Sequence, residues 1–152
     1  EASQFFVWFD KNKYTSNIKI DRVNRKLILN KNGPKREDNI TKKFALPKSE
    51  YICFFSQLPE CILIQNLLMK SQEGKIGLSI IWDSFPFNKE QYEGMVNTPV
   101  IQAEFYFSEK TSTSLRFELD IGNQILFYHF DKNLKFEKMF WVSQGLSVSA
   151  LK

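Results

Sequence analysis

The chain is poor in the residues from which most catalytic and metal centres are built. It has one histidine, His129, and two cysteines, Cys53 and Cys61, in 152 residues. No zinc set of the usual kind can be assembled from so few imidazole and thiolate ligands, so neither a metal nor a cofactor is expected. Six glycines are present, yet none forms a phosphate-binding loop or a Gly-x-Ser-x-Gly elbow. Apolar runs are short. None approaches the ~20 residues a helix needs to cross a bilayer, so no helical membrane span is expected. A 3.6-residue apolar period bounded by caps is missing as well, which argues against a helical architecture.

Charge is present but not massed. Twenty-one Lys and Arg stand against seventeen Asp and Glu, a net charge of +4. The densest basic group, Lys31, Lys35, Arg36, Lys42 and Lys43, flanks the turn Asn32-Gly33-Pro34, and no aromatic is interleaved before Phe44. A nucleic-acid face needs aligned cations with stacking aromatics, so the group reads as a solvated loop and no nucleic-acid partner is expected. Weak attraction to acidic surfaces or sulfated glycans stays compatible with it.

What the chain does have is β-pattern and aromatics, fifteen Phe and three Trp among them. The clearest stretch is Ser114 to Leu151. Leu115, Phe117, Leu119 and Ile121 alternate with Arg116, Glu118 and Asp120, the side-chain period of a strand with one face inward. Gly122-Asn123 tolerates positive φ and predicts a tight turn, after which Ile125 to Tyr128 returns as the second arm of a hairpin. Phe136 to Val142 and Leu146 to Ala150 complete a four-stranded antiparallel meander turned at Gln144-Gly145.

Upstream, Gln4 to Phe9 predicts an aromatic strand, and Ile18 and Ile20 pair with Leu27 to Leu29 across a charged tip. Asn30 to Lys43 predicts a long exposed loop around Gly33-Pro34. Strands are expected at Phe44 to Leu46, Tyr51 to Phe55, Cys61 to Met69, Ile76 to Trp82 and Val100 to Phe107. Between the last two lies an irregular stretch, Asp83 to Thr98, around Phe85-Pro86-Phe87. About ten or eleven short strands with closely spaced turns imply an all-β, antiparallel two-sheet sandwich or a barrel. The length suits one domain over residues 1–152, large enough to bury roughly 70% of the unfolded chain's surface.

The cysteines flank Ser56 to Glu60, and a hairpin centred near Gln57 would set Cys53 opposite Cys61. A cross-strand disulfide in an oxidising compartment is one reading; two buried thiols in a reducing cytosol is the other. Asn39-Ile40-Thr41, a glycosylation sequon in a polar stretch, inclines the choice to the disulfide and to a secreted or extracellular setting rather than a cytoplasmic one. A first residue of Glu rather than Met fits a processed precursor or a cut boundary equally.

Evidence of catalysis is thin. His129 sits inside the strand pattern ILFYHF, where a structural role is expected. Asp10, Asp21, Asp83, Glu90, Glu93, Glu104, Glu118 and Asp120 could in principle include an acid–base pair, but several alternate with apolar residues as solvent-facing positions do. A non-enzyme is expected.

From Pro86 onward the chain resembles the second half of a galectin carbohydrate-recognition domain. Phe85-Pro86-Phe87 is similar to that family's aromatic knot, Val100 to Phe107 to its next strand, Phe117 to Asn123 (FELDIGN) to its Asn-Gly hairpin, Ile125 to Phe130 to the return, and Gly145-Leu146-Ser147-Val148 to the closing strand. The resemblance implies a jelly-roll sandwich and glycan binding. It places the sugar site on the strands expected at Ile62 to Leu68 and Ile76 to Trp82, where galectins carry His-x-Asn-x-Arg and Trp-Gly-x-Glu-x-Arg. Neither His nor Arg occurs in those stretches here. The remaining candidates are Gln65, Asn66, Trp82 and Asp83, with Trp82 either stacking on a sugar or serving as a core or rim aromatic.

The expected function is therefore a galectin-like binding module for a glycan or glycoprotein. A protein-binding domain on the same fold is the alternative, its contacts made by an exposed aromatic patch. A carrier of an apolar small molecule in a lipocalin-type barrel is a further one, although the Gly-x-Trp expected near the start of such a barrel is absent before Trp8.

Overall fold

A computed structural model describes residues 2–9, 11–49, 51–62, 65–87, 98–122 and 124–151. Eleven strands carry the fold: β1 Ala2–Phe9, β2 Asn12–Asp21, β3 Lys26–Asn32, β4 Ile40–Ala45, β5 Tyr51–Phe54, β6 Ile76–Ile81, β7 Val100–Lys110, β8 Ser114–Ile121, β9 Gln124–Asp131, β10 Phe136–Trp141 and β11 Leu146–Ser149. Two short helices, α1 Leu58–Ile62 and α2 Gln65–Ser71, lie between β5 and β6. The strands form two sheets, one in the order β1-β2-β3-β4 and one in the order β11-β10-β9-β8-β7-β6-β5. This is the all-β, two-sheet class that the alternation predicts. A lipocalin-type barrel would instead close one sheet on itself.

The chain divides into two compact units, Glu1–Ser56 with Ile80–Ile101, and Gln57–Ser79 with Gln102–Lys152. In the first, β1 to β4 are antiparallel neighbours. One face of this sheet buries Ile18, Ile20, Leu27 and Leu29 against Leu46, Phe54, Ile81 and Phe85. Each such side chain, fully removed from water, contributes about 1.5–3 kcal/mol. The aromatic knot closes the same core: the Phe85 ring meets Phe44 edge-on at 5.9 Å, and Phe87 packs on Phe5 and Tyr14 at 6.5 and 6.1 Å. Ser16, buried on β2, donates its hydroxyl to the Phe85 carbonyl.

In the second unit, β7 to β11 run as antiparallel neighbours, the expected meander plus one strand. β8 alternates strictly, with Leu115, Phe117, Leu119 and Ile121 buried. Its Phe117 ring stacks on Phe105 at 5.5 Å and meets Phe130 edge-on at 5.2 Å. Offset-stacked and edge-to-face pairs suit the ring quadrupole, so the aromatic surplus becomes a ladder across β7, β8 and β9. Gly122 and Gly145 take φ of 62° and 60° at the two turns, a region that glycine enters without Cβ strain. Asn123, the other half of the first turn, lies outside the described residues.

Two expectations are corrected. Where a strand is predicted over Cys61 to Met69, the described residues are helical, Cys61 and Ile62 in α1 and Gln65 to Met69 in α2. Pro59 stands in the first turn of α1, where a missing N–H costs no helical bond. Leu58, Ile62, Leu67, Leu68 and Ser71 are buried at helical spacing while Met69 and Lys70 are exposed. The β-branched look of Ile62-Leu63-Ile64 hid that period. The loop predicted over Asn30 to Lys43 is shorter, because β3 runs to Asn32 and β4 starts at Ile40, with a 3-10 turn at Arg36–Asp38 between them. β4 is an edge strand whose lysines and threonine face water, so it lacks the apolar alternation by which an internal strand is read.

Candidate functional site

The two cysteines are bonded to each other, and no free cysteine remains. The bond is not the expected cross-strand pair. Cys53 stands on β5 and Cys61 on α1, because the segment after β5 turns into a 3-10 turn and then a helix rather than a returning strand. Asn39 is exposed at the end of the 3-10 turn, with its side-chain oxygen accepting from the Gly33 amide at 3.2 Å. Thr41, the third residue of the sequon, donates to the Asn30 side chain at 2.9 Å.

Two of the four residues expected to hold a sugar, Trp82 and Asp83, are buried. Trp82 is only 2% exposed, stacks on Phe55 and donates its backbone N–H to the Pro99 carbonyl at 2.7 Å. It is a core aromatic, not a stacking platform. Asp83 is buried as well. One carboxylate oxygen accepts from the Ser3 hydroxyl at 2.9 Å and from the Ser56 amide at 3.3 Å, tying β1 and the end of β5 to the knot. Gln65 and Asn66 lie on α2 rather than on a strand, and their side chains fall outside the described residues.

Glu104, Glu109, Glu118 and the histidine are engaged in ordinary structural contacts. Lys75 holds Glu104 at 2.9 Å, and Arg116 reaches Glu109 at 3.1 Å and Glu118 at 3.2 Å. Tyr106 donates to the other oxygen of Glu118 at 2.9 Å, a bond that raises the phenol above its ordinary value. His129 meets the Phe140 ring edge-on at 5.6 Å. Partial burial, with Lys138 and Arg116 nearby, holds its imidazole below the ordinary value. Asp10, Glu90 and Glu93 lie outside the described residues. Among the described residues no group of three or more His, Cys, Asp or Glu is placed to hold a metal ion, and no helix is long and apolar enough to cross a membrane.

A different surface has the chemistry of a binding site. Since Ser16, Ile18 and Ile20 point into the core of the first unit, the alternate residues of β2 point outward, and the register carries that face across all four strands. Its rows read Trp8 with Lys13, Phe6 with Thr15 and Asn32, Gln4 with Asn17, Asn30 and Thr41, and Ala2 with Lys19, Ile28 and Lys43. Phe6 is 45% and Trp8 65% exposed. The Lys13 ammonium lies 4.1 Å from the Phe6 ring centroid and 5.9 Å from that of Trp8. Beside these rings stands a row of three amides and a hydroxyl. With strands about 4.8 Å apart, that row spans roughly 14 Å, and successive rows are about 7 Å apart.

Sequence reasoning marked Gln4 to Phe9 as an aromatic strand but not as a site. The signal was there: a strand whose apolar residues do not alternate has rings on both faces, and an antiparallel sheet packed on one core covers only one of them. Phe5 meets the core ring Phe87, which leaves Phe6 and Trp8 outward.

Compared with protein-family models, with curated proteins and with solved structures, the chain matches none.

Proposed function

We propose that this chain is a non-enzymatic binding module, galectin-like in its fold, that recognises a glycan or glycoprotein through the outer face of the β1–β4 sheet. One observation carries the reading: exposed Phe6 and Trp8 stand beside the row Gln4, Asn17, Asn30 and Thr41 on one flat surface. A sugar ring has an apolar C–H face and an equatorial rim of hydroxyls. Aromatic rings meet the first, and an amide, which offers a donor and an acceptor side by side, meets two neighbouring hydroxyls. The disulfide and the exposed sequon at Asn39 support an oxidising, extracellular setting.

A protein partner is the second reading, because exposed aromatics are also enriched at protein interfaces. The amide and hydroxyl row favours the glycan: the middle of a protein interface is more apolar than this face.

The test is a broad glycan array probed with the wild-type chain and with Trp8→Ala. Selective binding that free sugar competes and that Trp8→Ala loses supports the proposal. A folded protein that binds no glycan, or a Trp8→Ala variant that binds as wild type, removes this face from the role.

A further inference from the structure

We infer that the glycan taken by this face is a sulfated one. The inference rests on the assignment of the β1–β4 face as a glycan site and adds the charge of its ligand.

The cations of the face are Lys13, Lys19, Lys26 and Lys43, all placed outward by the register that buries Ile18, Ile20, Leu27 and Leu29. Its described carboxylate is Asp21, paired in register with Lys26 at the hairpin end. That group is turned into the β2–β3 turn. Its two oxygens accept from the Asn24 backbone N–H at 2.9 Å and the Asn24 side-chain amide at 2.8 Å, bonds that hold its carboxyl below the ordinary value. Lys19 and Lys43 face solvent from either side of Ile28, on backbones about 10 Å apart. The face is therefore positive over its aromatic and amide rows, and like charge focuses attraction on an anionic ligand.

Lys13 decides between neutral and charged sugars. Its ammonium sits against the Phe6 ring at 4.1 Å. A neutral sugar stacking there displaces it and forfeits the cation–π attraction. An anionic sugar draws the same ammonium off the ring as a partner and exposes the stacking surface in one movement. The described face carries lysines and no arginine, so its cations are compact point charges spread over the sheet, which a chain bearing several sulfates can meet at more than one place.

The experiment compares a heparin-derived oligosaccharide, its chemically desulfated counterpart and a neutral oligosaccharide for binding to the whole chain at several salt concentrations. The inference expects tight binding of the sulfated ligand only, weakening with salt. Lys19→Gln with Lys43→Gln should lower affinity about tenfold, as should Trp8→Ala. Lys132→Gln with Lys135→Gln, which removes the same charge from the β9–β10 turn, should leave it unchanged. Equal loss in that control pair overturns the inference, because attraction would then follow net charge alone. Binding of neutral or desulfated glycan that depends on Trp8 overturns the sulfate requirement and leaves the glycan site standing. No binding of any glycan by the folded chain overturns both.

Discussion

Trp82 lies flat against Phe55, the ring centroids 3.9 Å apart and the planes 20° from parallel. Both rings belong to the first unit, and Trp82 is the buried member of the pair. A stacked pair of this kind fixes the exit of β6 relative to the 3-10 turn after β5. Its role is packing.

Replacing Trp82 with Ala should therefore cost about 3–5 kcal/mol of stability, the usual range for deleting a large buried ring. Chemical denaturation should show the unfolding free energy falling by that amount, and Trp82→Phe should recover part of it. A Trp82→Ala protein as stable as wild type would return this residue to the list of surface candidates.

The Cys53–Cys61 bond closes a short loop. In the chain-entropy account a loop of this size stabilises by about 2.5 kcal/mol. Mutating both cysteines to Ser, or adding reductant, should lower the unfolding midpoint accordingly. If reduction leaves the unfolding curve in place, the bond contributes nothing to the fold and the compartment inference loses its structural weight.

Tyr128 is fully buried on β9, and its hydroxyl has no hydrogen-bond partner among the described residues. Burial pushes its phenol well above the ordinary value, since the charged form would have no solvent. Tyr128→Phe removes an unsatisfied polar atom and keeps the ring that meets Phe105 edge-on at 6.1 Å. Stability should be unchanged or rise by up to about 1 kcal/mol. A clear loss in thermal unfolding would show that the hydroxyl has a partner, such as a buried water.

His129 gives the pH dependence a sign. Its folded pKa is depressed below the ordinary histidine value of about 6.5, by burial first and by Lys138 and Arg116 second. The unfolded chain therefore takes up this proton at higher pH than the folded chain does. The contribution is intact above about pH 6.5 and is lost as pH falls through the folded pKa. Unfolding curves across that window, for wild type and His129→Gln, should diverge on acidification, with the wild type losing more. An NMR titration that places the imidazole above 6.5 would reverse the sign.

The strands from β7 to β10 were legible because each has one face with buried residues, and strict alternation such as Leu115, Phe117, Leu119 and Ile121 records that face in the sequence. The hairpin turns were legible at Gly122 and Gly145, where positive φ selects glycine. β4 was not, since an edge strand with Lys42 and Lys43 pointing to water has no apolar pattern to read. The helices α1 and α2 were hidden by β-branched residues and by a proline that is harmless in a first turn. The sequence leaves Trp82 open between stacking on a sugar and a core or rim role for a related reason: an aromatic at the end of a strand carries no mark of which side it faces.

The amino-acid sequence by itself determined the class of the fold, the antiparallel meander and the poverty of metal-ligating side chains, because these follow from local period, turn chemistry and counting. Only the tertiary structure decided which aromatics are core and which are surface. Phe85 packs beneath the β1–β4 sheet and Trp82 is buried against Phe55, while Phe6 and Trp8 stay on the outer face, and that choice depends on packing between segments far apart in the chain. Register between strands assembles Gln4, Asn17, Asn30 and Thr41 into one row. No spacing within a single strand encodes that row, since each strand supplies one of its members.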